Sequence, residues 1–376
     1  MHTGIRWFYY IGRLCGMLDD SADFEHMKMK ALVKAEASPG LTLREVEIPS
    51  IGINDVLIQV DRAGICGTDL HIYKWDAWAQ KTIPVPMVVG HEFVGEVVEL
   101  GRAVQRIHLG DAVMSSDFTA CGRCRWCDRA EHWQCGERAF FGTGTAFGPL
   151  LAGAQAEYVR VPHADRTLGV MPTGCSPEAA LLMGDNLATG WVAVERAALE
   201  AGERVVVIGG GAVGQLTALA AQTAGAGLVI VVEPHEGRRA FARSQGSLAA
   251  HPDEALALVR QLTDGDGADV VVEAVGGNGP LDLAMALVRA RGRVVSVGAH
   301  AAETWGFSVG RAFREELSLS FAIGDGIRLR RKLTRLVTGG AIDPTVVIDA
   351  RGRLEDAPAL YKLLATQQRL KAVMTP

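Results

Sequence analysis

The stretch VVVIGGGAVGQLTALAAQTAG, residues 205–225, decides the fold of the second half of the chain. An apolar, β-branched run leads into a glycine turn and then into an alanine-rich segment of helical character. Gly209, Gly211 and Gly214 fit the pattern G-x-G-x-x-G, which is informative here because it follows a predicted buried strand and opens a predicted helix. These glycines permit a tight turn, close approach of a pyrophosphate and close helix–strand packing, and the helix N-terminus favours an anion. The stretch therefore predicts a dinucleotide-binding unit.

The sequence around this stretch predicts an α/β protein with two domains. Apolar strand-like runs (VIVVEP, ADVVVEAVG, GRVVSVG) alternate with helical segments, which indicates a doubly wound parallel sheet of the Rossmann type. The preceding part, from Met29 onward, holds short β-type runs punctuated by Gly, Pro and Asp, which predict an irregular, mostly antiparallel β domain. A length of 376 residues also favours two domains over one.

We expect four segments along the chain. Residues 1–28 form an extension outside the core fold; an interface helix, a loose tail and an upstream start codon are all compatible with it. Residues 29–186 form the irregular β domain, 187–325 the dinucleotide-binding domain, and 326–376 a helix-rich segment that returns to the first of these.

Composition excludes several function classes. An apolar content of 48%, a charged content of 22% and a net charge of −5 are ordinary for a soluble enzyme and give no basic footprint for nucleic acid or membrane surfaces. No run of 18 apolar residues is present, so no transmembrane helix is expected. The apolar N-terminal stretch is interrupted by Arg6 and Arg13 and lacks a cleavage site, so it does not read as a signal peptide. We therefore expect a cytoplasmic protein.

The second strand of the predicted Rossmann domain ends at Glu233, 19 residues after Gly214. A carboxylate at this position accepts hydrogen bonds from the adenosine ribose and repels a 2′-phosphate, so the sequence favours NAD over NADP. Arg238 and Arg239 follow closely and leave open the alternative that a phosphate is held there.

A cysteine run, CGRCRWCDRAEHWQC, indicates a structural metal site. Cys121, Cys124, Cys127 and Cys135 lie within fifteen residues, and four thiolates at such spacing can enclose one zinc ion with no open coordination position. A disulfide pair is the alternative, and it is disfavoured in a chain with no secretory features.

A second metal site is indicated by Cys66 in GICGTDLHIY and His91 in GHEFVGEV. Asp69 and Glu92 provide carboxylates close by that can orient metal ligands. A catalytic zinc takes three protein ligands and keeps one position open, and Asp185 in MGDNLATGW is the candidate for the third. The alternatives are a buried thiol, a structural histidine and a helix cap. We therefore predict two zinc ions per chain.

These motifs, in this order, resemble the zinc-dependent medium-chain dehydrogenase/reductase superfamily, the alcohol dehydrogenases. The resemblance runs from Met29 to the C-terminus and rests on GHE-x2-G-x-V, the four-cysteine lobe, the segment around Asp185 and the glycine fingerprint. It implies a GroES-like catalytic domain, a Rossmann domain, homodimers or homotetramers, and reversible hydride transfer between an alcohol or polyol and NAD. It also implies that zinc acts as a Lewis acid on the substrate oxygen.

The resemblance further implies roles for individual residues. Cys66, His91 and Asp185 would bind the catalytic zinc, Glu92 would lie behind it, and Asp69 would support His91. A proton would leave the site through Thr68 and His71. The residues expected at the cofactor are Thr189 and Val213 beside the nicotinamide and Lys371 near the pyrophosphate.

One stretch, Ile65 to Val98, is most similar to the L-threonine 3-dehydrogenases. The segment after Asp185 and the stretch from Ala139 to Tyr158 depart from that group, and amino-acid recognition needs fixed partners for an ammonium and a carboxylate. We therefore favour a neutral alcohol or polyol as substrate. The alternatives are L-threonine 3-dehydrogenase and, from another class, a non-catalytic NAD-binding regulatory protein.

Overall fold

The computed structural model describes residues 27–300 and 304–376. All but Met27 and Lys28 of the predicted N-terminal extension therefore lies outside the described residues. The first strand already begins at Lys28, where it pairs with Glu47. None of the helices in the described ranges combines the length and apolar character that a membrane span requires.

The first domain is built on a seven-stranded sheet in which β3 is central. Its strand order is β15-β16-β3-β5-β6-β8, and β7 pairs with β3 as well. All of these pairings are antiparallel except the one between β15 and β16. A separate three-stranded sheet has the order β2-β1-β4. The strands are β1 (Lys28–Lys34), β2 (Thr42–Glu47), β3 (Val56–Ile65), β4 (Met87–Val88), β5 (Phe93–Leu100), β6 (Ala112–Met114), β7 (Tyr158–Val161), β8 (Gly169–Val170), β15 (Ile348–Arg353) and β16 (Lys371–Thr375).

The last two strands of the chain thus complete the sheet of the first domain. β16 pairs with β3 through Ala372 opposite Ile65, the residue immediately before Cys66. This pairing brings Lys371 next to residues that are about 300 positions away in sequence.

The second domain is a six-stranded parallel sheet of strand order β11-β10-β9-β12-β13-β14. This is the 3-2-1-4-5-6 order of a doubly wound nucleotide-binding fold, in which ligands lie at the carboxyl ends of the strands near the first and fourth. The predicted α/β class with a GroES-like and a Rossmann domain is confirmed. The strands are β9 (Arg204–Ile208), β10 (Leu228–Val232), β11 (Leu248–Ala250), β12 (Ala268–Glu273), β13 (Val288–Ser296) and β14 (Ser318–Phe321).

Helices join the domains and cover the parallel sheet. They are α1 (Gly67–Lys74), α2 (Ala77–Thr82), α3 (Arg125–Asp128), α4 (Ala164–Thr167), α5 (Pro177–Gly184), α6 (Asn186–Arg196), α7 (Ala212–Thr223), α8 (Glu236–Ser244), α9 (Pro252–Leu262), α10 (Asn278–Leu287), α11 (Val309–Arg314), α12 (Gly326–Thr338) and α13 (Ala357–Ala365).

The helices α5 and α6 form the core between the two domains. Ser176 accepts a hydrogen bond from Ala179 N, with Pro177 following it, so α5 begins with a side-chain cap and a favoured proline. Both helices are almost wholly buried, and their apolar side chains pack with Val94 and Met114 of one domain and Val205 and Val207 of the other. Asp185 lies at the junction of the two helices, where the chain is held from both sides.

Candidate active site

Four side chains of metal-ligand type meet in the first domain, beside the second. Potential ligand atoms of Cys66, His91, Glu92 and Asp185 all lie within 4.8 Å of one another. Cys66 stands between β3 and α1, His91 and Glu92 between β4 and β5, and Asp185 between α5 and α6. We call this set the open cluster, because Cys66 also lines the large cleft described below.

The spacing of the open cluster fits a zinc ion. The distance is 3.7 Å from Cys66 Sγ to Asp185 Oδ2 and 3.6 Å from His91 Nε2 to the same oxygen. Zinc lies about 2.0–2.3 Å from its ligands, so neighbouring ligands of a tetrahedral site are about 3.3–3.8 Å apart. The three predicted ligands thus stand at the separations that a shared zinc imposes, with Asp185 as the common neighbour.

A buried carboxylate supports two of these ligands. Asp69 Oδ2 accepts hydrogen bonds from Cys66 N at 2.9 Å and from Gln155 Nε2 at 3.2 Å. Asp69 Oδ1 lies 3.5 Å from His91 Nδ1, and both atoms are buried without a hydrogen bond. A metal on His91 Nε2 would leave the ring proton on Nδ1, where it would face Asp69. The structure therefore places Asp69 where the resemblance expects it.

Two residues behind Asp69 carry no motif in the sequence. Gln155 also donates to Gly64 O at 2.9 Å, and Tyr361 donates to Gln155 Oε1 at 2.7 Å. The side chains of Asp69, Gln155 and Tyr361 are all buried. Gln155 lies within the stretch from Ala139 to Tyr158, and Tyr361 is on α13. Only the tertiary fold brings them to the metal ligands, so sequence reasoning had no local signal for them.

Glu92 is held by Asn186 and Lys371. Its Oε1 accepts from Asn186 Nδ2 at 2.8 Å, and its Oε2 pairs with Lys371 Nζ. A side chain at Gly64 would overlap Glu92 Oε2, so only glycine leaves room for this carboxylate.

Lys371, expected near a pyrophosphate, is 1% exposed and donates to Ile65 O as well as to Glu92. Lys371 is also among the residues that line the large cleft, so a role at the cofactor stays a prediction. The contact that the structure does show is the buried ion pair with Glu92.

The charges of the open cluster favour a cation. Burial, together with Asp185 and Glu92, raises the pKa of the Cys66 thiol to about 11. Burial alone would lower the pKa of His91, but Asp69 and Asp185 outweigh it and raise this pKa well above its ordinary value. Burial works against ionisation of Asp185, yet its hydrogen bond to His91 lowers its pKa to about 2. A divalent cation reverses this balance, because it deprotonates a coordinating thiol.

A second set, the closed cluster, consists of Cys121, Cys124, Cys127 and Cys135. Their sulfur atoms lie within 4.8 Å of one another, and none of the four is in a disulfide. Sγ–Sγ distances are 3.9 Å for Cys121 to Cys127 and 3.6 Å for Cys124 to Cys127. Four sulfurs bound to zinc at about 2.3 Å are about 3.8 Å apart, so this set also fits the metal.

Backbone amides stabilise these sulfurs in their anionic form. Cys121 N lies 3.4 Å from Cys135 Sγ, and Gly122 N lies 3.3 Å from Cys127 Sγ. Hydrogen bonds from the backbone of Cys127 and Trp126 lower the pKa of Cys124 to about 6. Burial raises the pKa of Cys127 to about 12. Together the four sulfurs leave no position for a substrate.

A cleft of about 620 Å³ separates the domains and carries the glycine turn. Gly209, with φ of +98°, makes the turn after β9, and α7 begins at Ala212. A side chain at Gly214 would overlap Gly209 O, so this glycine permits the close packing of α7 on β9. Gly211 and Val213 also line the cleft. The turn thus has the shape expected for a dinucleotide pyrophosphate.

Glu233 follows β10 directly and lines the same cleft. Its Oε2 accepts from Gly210 N at 2.8 Å, and its Oε1 accepts from His235 N at 2.9 Å. Arg238 Nη1 lies 4.0 Å from Glu233 Oε2, and Arg238 Nε is buried without a partner. Arg239 donates to the backbone oxygens of Glu233 and Pro234. The carboxylate is therefore fixed at the cleft, and of the two arginines Arg238 alone lines it.

His71, Thr68 and Thr189 are the remaining residues that the resemblance assigns to the site. His71 lines the cleft and its Nδ1 lies 2.5 Å from Asp76 Oδ2. Thr68 is half-buried in the first turn of α1. Thr189 Oγ1 donates to Asp185 Oδ1 at 3.3 Å, which ties this residue to a metal ligand.

Comparison with known proteins agrees with this geometry. Residues 52–173 match the family described as Alcohol dehydrogenase GroES-like domain, and residues 212–338 match the family described as Zinc-binding dehydrogenase. An L-threonine 3-dehydrogenase from Bacillus velezensis is 33% identical over 358 residues, which cover 93% of this chain and 99% of that protein. Another, from Chelativorans sp. (strain BNC1), is 40% identical over 253 residues, or 66% of this chain and 70% of that protein.

Solved structures show the same architecture. Alcohol dehydrogenase TADH from Thermus sp. ATN1 has a TM-score of 0.86 and 33% identity, covering 92% of this chain and 99% of its own. A structure from Sinorhizobium meliloti 1021, solved bound to NADP, has a TM-score of 0.80 and 28% identity, covering 93% and 100%. Both therefore share the two-domain arrangement over almost the whole chain.

Proposed function

Because the chain belongs to the zinc-dependent medium-chain dehydrogenase/reductase superfamily, we propose that it transfers hydride reversibly between an alcohol or polyol and NAD. The observation that supports this most is the position of the open cluster. Its ligands Cys66, His91 and Asp185 stand at zinc spacing, and Cys66 borders the cleft that holds the glycine turn. A metal held by these ligands and a dinucleotide bound at the glycine turn would therefore share one cleft.

The chain's own residues prepare this space for a metal and a substrate. Zinc held by Cys66, His91 and Asp185 would supply Lewis acidity that lowers the pKa of a substrate hydroxyl. Asp69 orients His91, and Glu92 with Lys371 sets the charge behind the ligands. The closed cluster would hold the second zinc and stabilise its loop.

His71 is the proposed exit for the proton. It lines the cleft, is partly exposed, and is oriented by Asp76 at 2.5 Å. An imidazole in this position can accept a proton from the site and pass it to water. Thr68, three residues earlier on the same helix, is the proposed inner member of this path.

Glu233 is proposed to select NAD. A 2′-phosphate beside this carboxylate would be repelled, at a cost of about 1–3 kcal/mol. We expect kcat/KM for NAD to exceed that for NADP several-fold to about a hundredfold. Glu233→Gln should lower the ratio of kcat/KM for NAD to kcat/KM for NADP. Glu236→Gln, which changes an exposed carboxylate on the next helix, should leave this ratio unchanged. Equal kcat/KM values in the unsubstituted enzyme would point to Arg238 as a phosphate partner.

L-threonine 3-dehydrogenase is the second candidate. It is favoured by the 33% identity with a threonine 3-dehydrogenase that the chain matches over 99% of that protein's length. A non-catalytic NAD-binding protein is the third, and the complete open cluster speaks against it, since a binding protein needs no metal beside its cofactor.

One experiment separates the three candidates. NAD reduction is measured with a panel of simple alcohols, polyols and L-threonine, using protein of known zinc content. The proposal predicts the highest kcat/KM for a neutral alcohol or polyol. A higher value for L-threonine than for every other substrate would establish the second candidate. Tight NADH binding with no reduction on any substrate would establish the third.

We also propose a homodimer or homotetramer. β14 is the edge strand of the parallel sheet, and large apolar side chains beside it face outward: Val309, Phe313 and Phe321, with Phe313 84% exposed. Covering them with a second copy would remove apolar area from water. Sedimentation equilibrium gives the mass directly, and a monomer at micromolar concentration would contradict the proposal.

A further inference from the structure

The loop of the closed cluster is joined to the start of α12 by a buried pair of side chains. His132 lies in this loop, and Cys135 N donates to His132 O at 3.0 Å. His132 Nδ1 lies 3.2 Å from Oδ1 and 3.1 Å from Oδ2 of Asp325, and His132 N donates to Asp325 Oδ2 at 3.2 Å. His132 is 2% exposed and Asp325 is 6% exposed. A ligand of the closed cluster is therefore tied through His132 to a carboxylate in a distant part of the chain.

Asp325 is also the residue that caps α12. Its Oδ1 accepts from Arg328 N at 2.8 Å, which satisfies one of the free amides at the start of the helix. With the proton on Nδ1 of His132, the carboxylate accepts from three N–H groups and is held in one orientation. Ile327, in the first turn of α12, lies in one apolar cluster with the cysteines of the closed cluster. The start of α12 is therefore fixed on the closed-cluster loop by both polar and apolar contacts.

The two glycines that flank this cap residue touch the segment that carries a ligand of the open cluster. A side chain at Gly324 would lie 2.3 Å from Thr189 Oγ1, and a side chain at Gly326 would lie 2.2 Å from Gly184 O. Gly184 immediately precedes Asp185. Thr189 donates to Asp185 twice, from its backbone N to Asp185 O at 2.8 Å and from Oγ1 to Oδ1 at 3.3 Å. The segment 324–326 therefore packs against this ligand's neighbours on both sides.

These contacts form a continuous path between the two clusters, from Cys135 through His132 and Asp325 to Asp185. Binding of a structural metal is coupled to the ordering of its loop, so an occupied closed cluster holds His132 in place. Protein interiors are close-packed, and a shift of the segment 324–326 would therefore be felt by the backbone that it touches. The position of Asp185 then depends on the occupancy of the closed cluster.

We propose that zinc at the closed cluster strengthens zinc binding at the open cluster, and that His132 and Asp325 are the positioning residues that carry this coupling. Neither side chain belongs to the ligand-type groups of the open cluster, so both act through the position of Asp185. Coupling between two binding sites is reciprocal, so zinc at the open cluster strengthens the closed cluster by the same factor. The proposal concerns metal occupancy and goes beyond the proposed reaction, because it does not depend on which substrate is oxidised.

Zinc competition with a chelator, measured on three variants, tests the coupling. Cys124→Ser empties the closed cluster, whereas His132→Leu cuts the path and leaves all four sulfurs in place. Each should weaken zinc binding at the open cluster by about fivefold, which is less than the loss expected for a direct partner of a metal ligand. The double variant should also lose about fivefold and not the product of the two losses, because both substitutions break one path.

Two further substitutions separate positioning from a general effect on the fold. His132→Asn keeps an N–H donor near the place of Nδ1, so the zinc affinity of the open cluster should stay within about twofold of the unsubstituted protein. Gln134→Leu changes an exposed side chain of the same short helix, His132–Gln134, and is the matched control that should leave both affinities unchanged. Cys66→Ser supplies the reciprocal measurement, because it removes a ligand of the open cluster and should weaken zinc binding at the closed cluster by about fivefold.

Several results would overturn the coupling. In His132→Leu, a lowered Tm with an unchanged zinc affinity of the open cluster would show a structural role only. In the double variant, a loss of about 25-fold, the product of the two single losses, would show two independent effects. An equal loss in Gln134→Leu would show that any change in this helix weakens the open cluster. If Cys124→Ser does not fold, an unchanged affinity of the closed cluster in Cys66→Ser contradicts the coupling by itself. None of these measurements uses turnover, so they stand whether or not the proposed reaction is correct.

Discussion

The two metal clusters differ in how the chain assembles them. The closed cluster takes all four sulfurs from one loop between Cys121 and Cys135, with hydrogen bonds from the loop's own backbone. The open cluster takes Cys66, His91 and Asp185 from three distant segments. Its supporting groups come from still other parts of the fold. One cluster is therefore assembled within a single loop, whereas the other forms only when distant segments of the first domain, including the C-terminal strand, are in place.

The two clusters also differ in the types of side chain that form and support them. The closed cluster consists of sulfur ligands alone, and they leave no coordination position open for a substrate. The open cluster combines a thiol, an imidazole and carboxylates, backed by a buried lysine, and it borders the dinucleotide cleft. Mixed ligands with outer partners are typical of metals that perform chemistry. The comparison predicts that damage to the open cluster is seen in turnover and damage to the closed cluster in stability.

Removing a ligand of the open cluster should give the largest effect. Cys66→Ser or His91→Ala should lower kcat/KM by about a thousandfold or more, because several kcal/mol of Lewis-acid stabilisation is lost. NADH binding, measured by fluorescence titration, should persist, since the glycine turn belongs to the other domain. A parallel loss of NADH affinity would mean that the substitution had damaged the fold and that the two sites are not separable.

Removing a ligand of the closed cluster should act on stability. Cys124→Ser should lower the zinc content by about one ion per chain and reduce the free energy of unfolding by about 4 kcal/mol, the scale on which loss of a metal is felt. kcat/KM should change less than about tenfold. Cys175→Ser, at a free cysteine outside both clusters, is the matched control for metal content and Tm. Unchanged zinc content in Cys124→Ser would contradict the assignment of the closed cluster as a structural zinc site.

The clusters also differ in how far the sequence predicts them. The closed cluster follows from spacing alone, because its ligands are consecutive in one loop. The α/β class follows from apolar periodicity and the glycine turn, and it is confirmed. The ligands of the open cluster are up to 119 residues apart, so residue types suggested them and only the resemblance to a family joined them into one site.

The supporting residues show where sequence reasoning stops. Lys371 reaches the open cluster because β16 pairs with β3, and Tyr361 because α13 packs beside it. Gln155 is held there by backbone hydrogen bonds to Leu32 and Val89. Sheet register and helix packing are long-range properties, and a local pattern does not encode them.

Breaking the ion pair between Lys371 and Glu92 should have an intermediate effect on stability. Lys371→Met leaves Glu92 buried without its cation and should reduce the free energy of unfolding by about 3 kcal/mol, within the range measured for broken buried pairs. The double substitution Lys371→Met with Glu92→Gln should recover part of this loss, because no unpaired charge remains. Urea unfolding of the four proteins of this cycle gives the coupling. Strictly additive losses would show that the two groups do not interact.

Breaking the hydrogen-bond chain that begins at Tyr361 on α13 should have the smallest effect on stability. Tyr361 donates to Gln155, which donates to Asp69, which faces His91. Tyr361→Phe removes one neutral hydrogen bond, so we expect a loss of about 1 kcal/mol in stability and a few-fold weaker zinc binding at the open cluster. Zinc competition with a chelator measures the affinity of each cluster, and the closed cluster serves as an internal control.

Burial and the charge of Asp69 raise the pKa of Tyr361 well above its ordinary value. The phenol therefore stays protonated and donates throughout the assay range, so the loss should be the same at any pH between about 6 and 9. A loss that appears only at alkaline pH would contradict this chain, and an equal weakening of the closed cluster would show that the substitution acts on the fold as a whole.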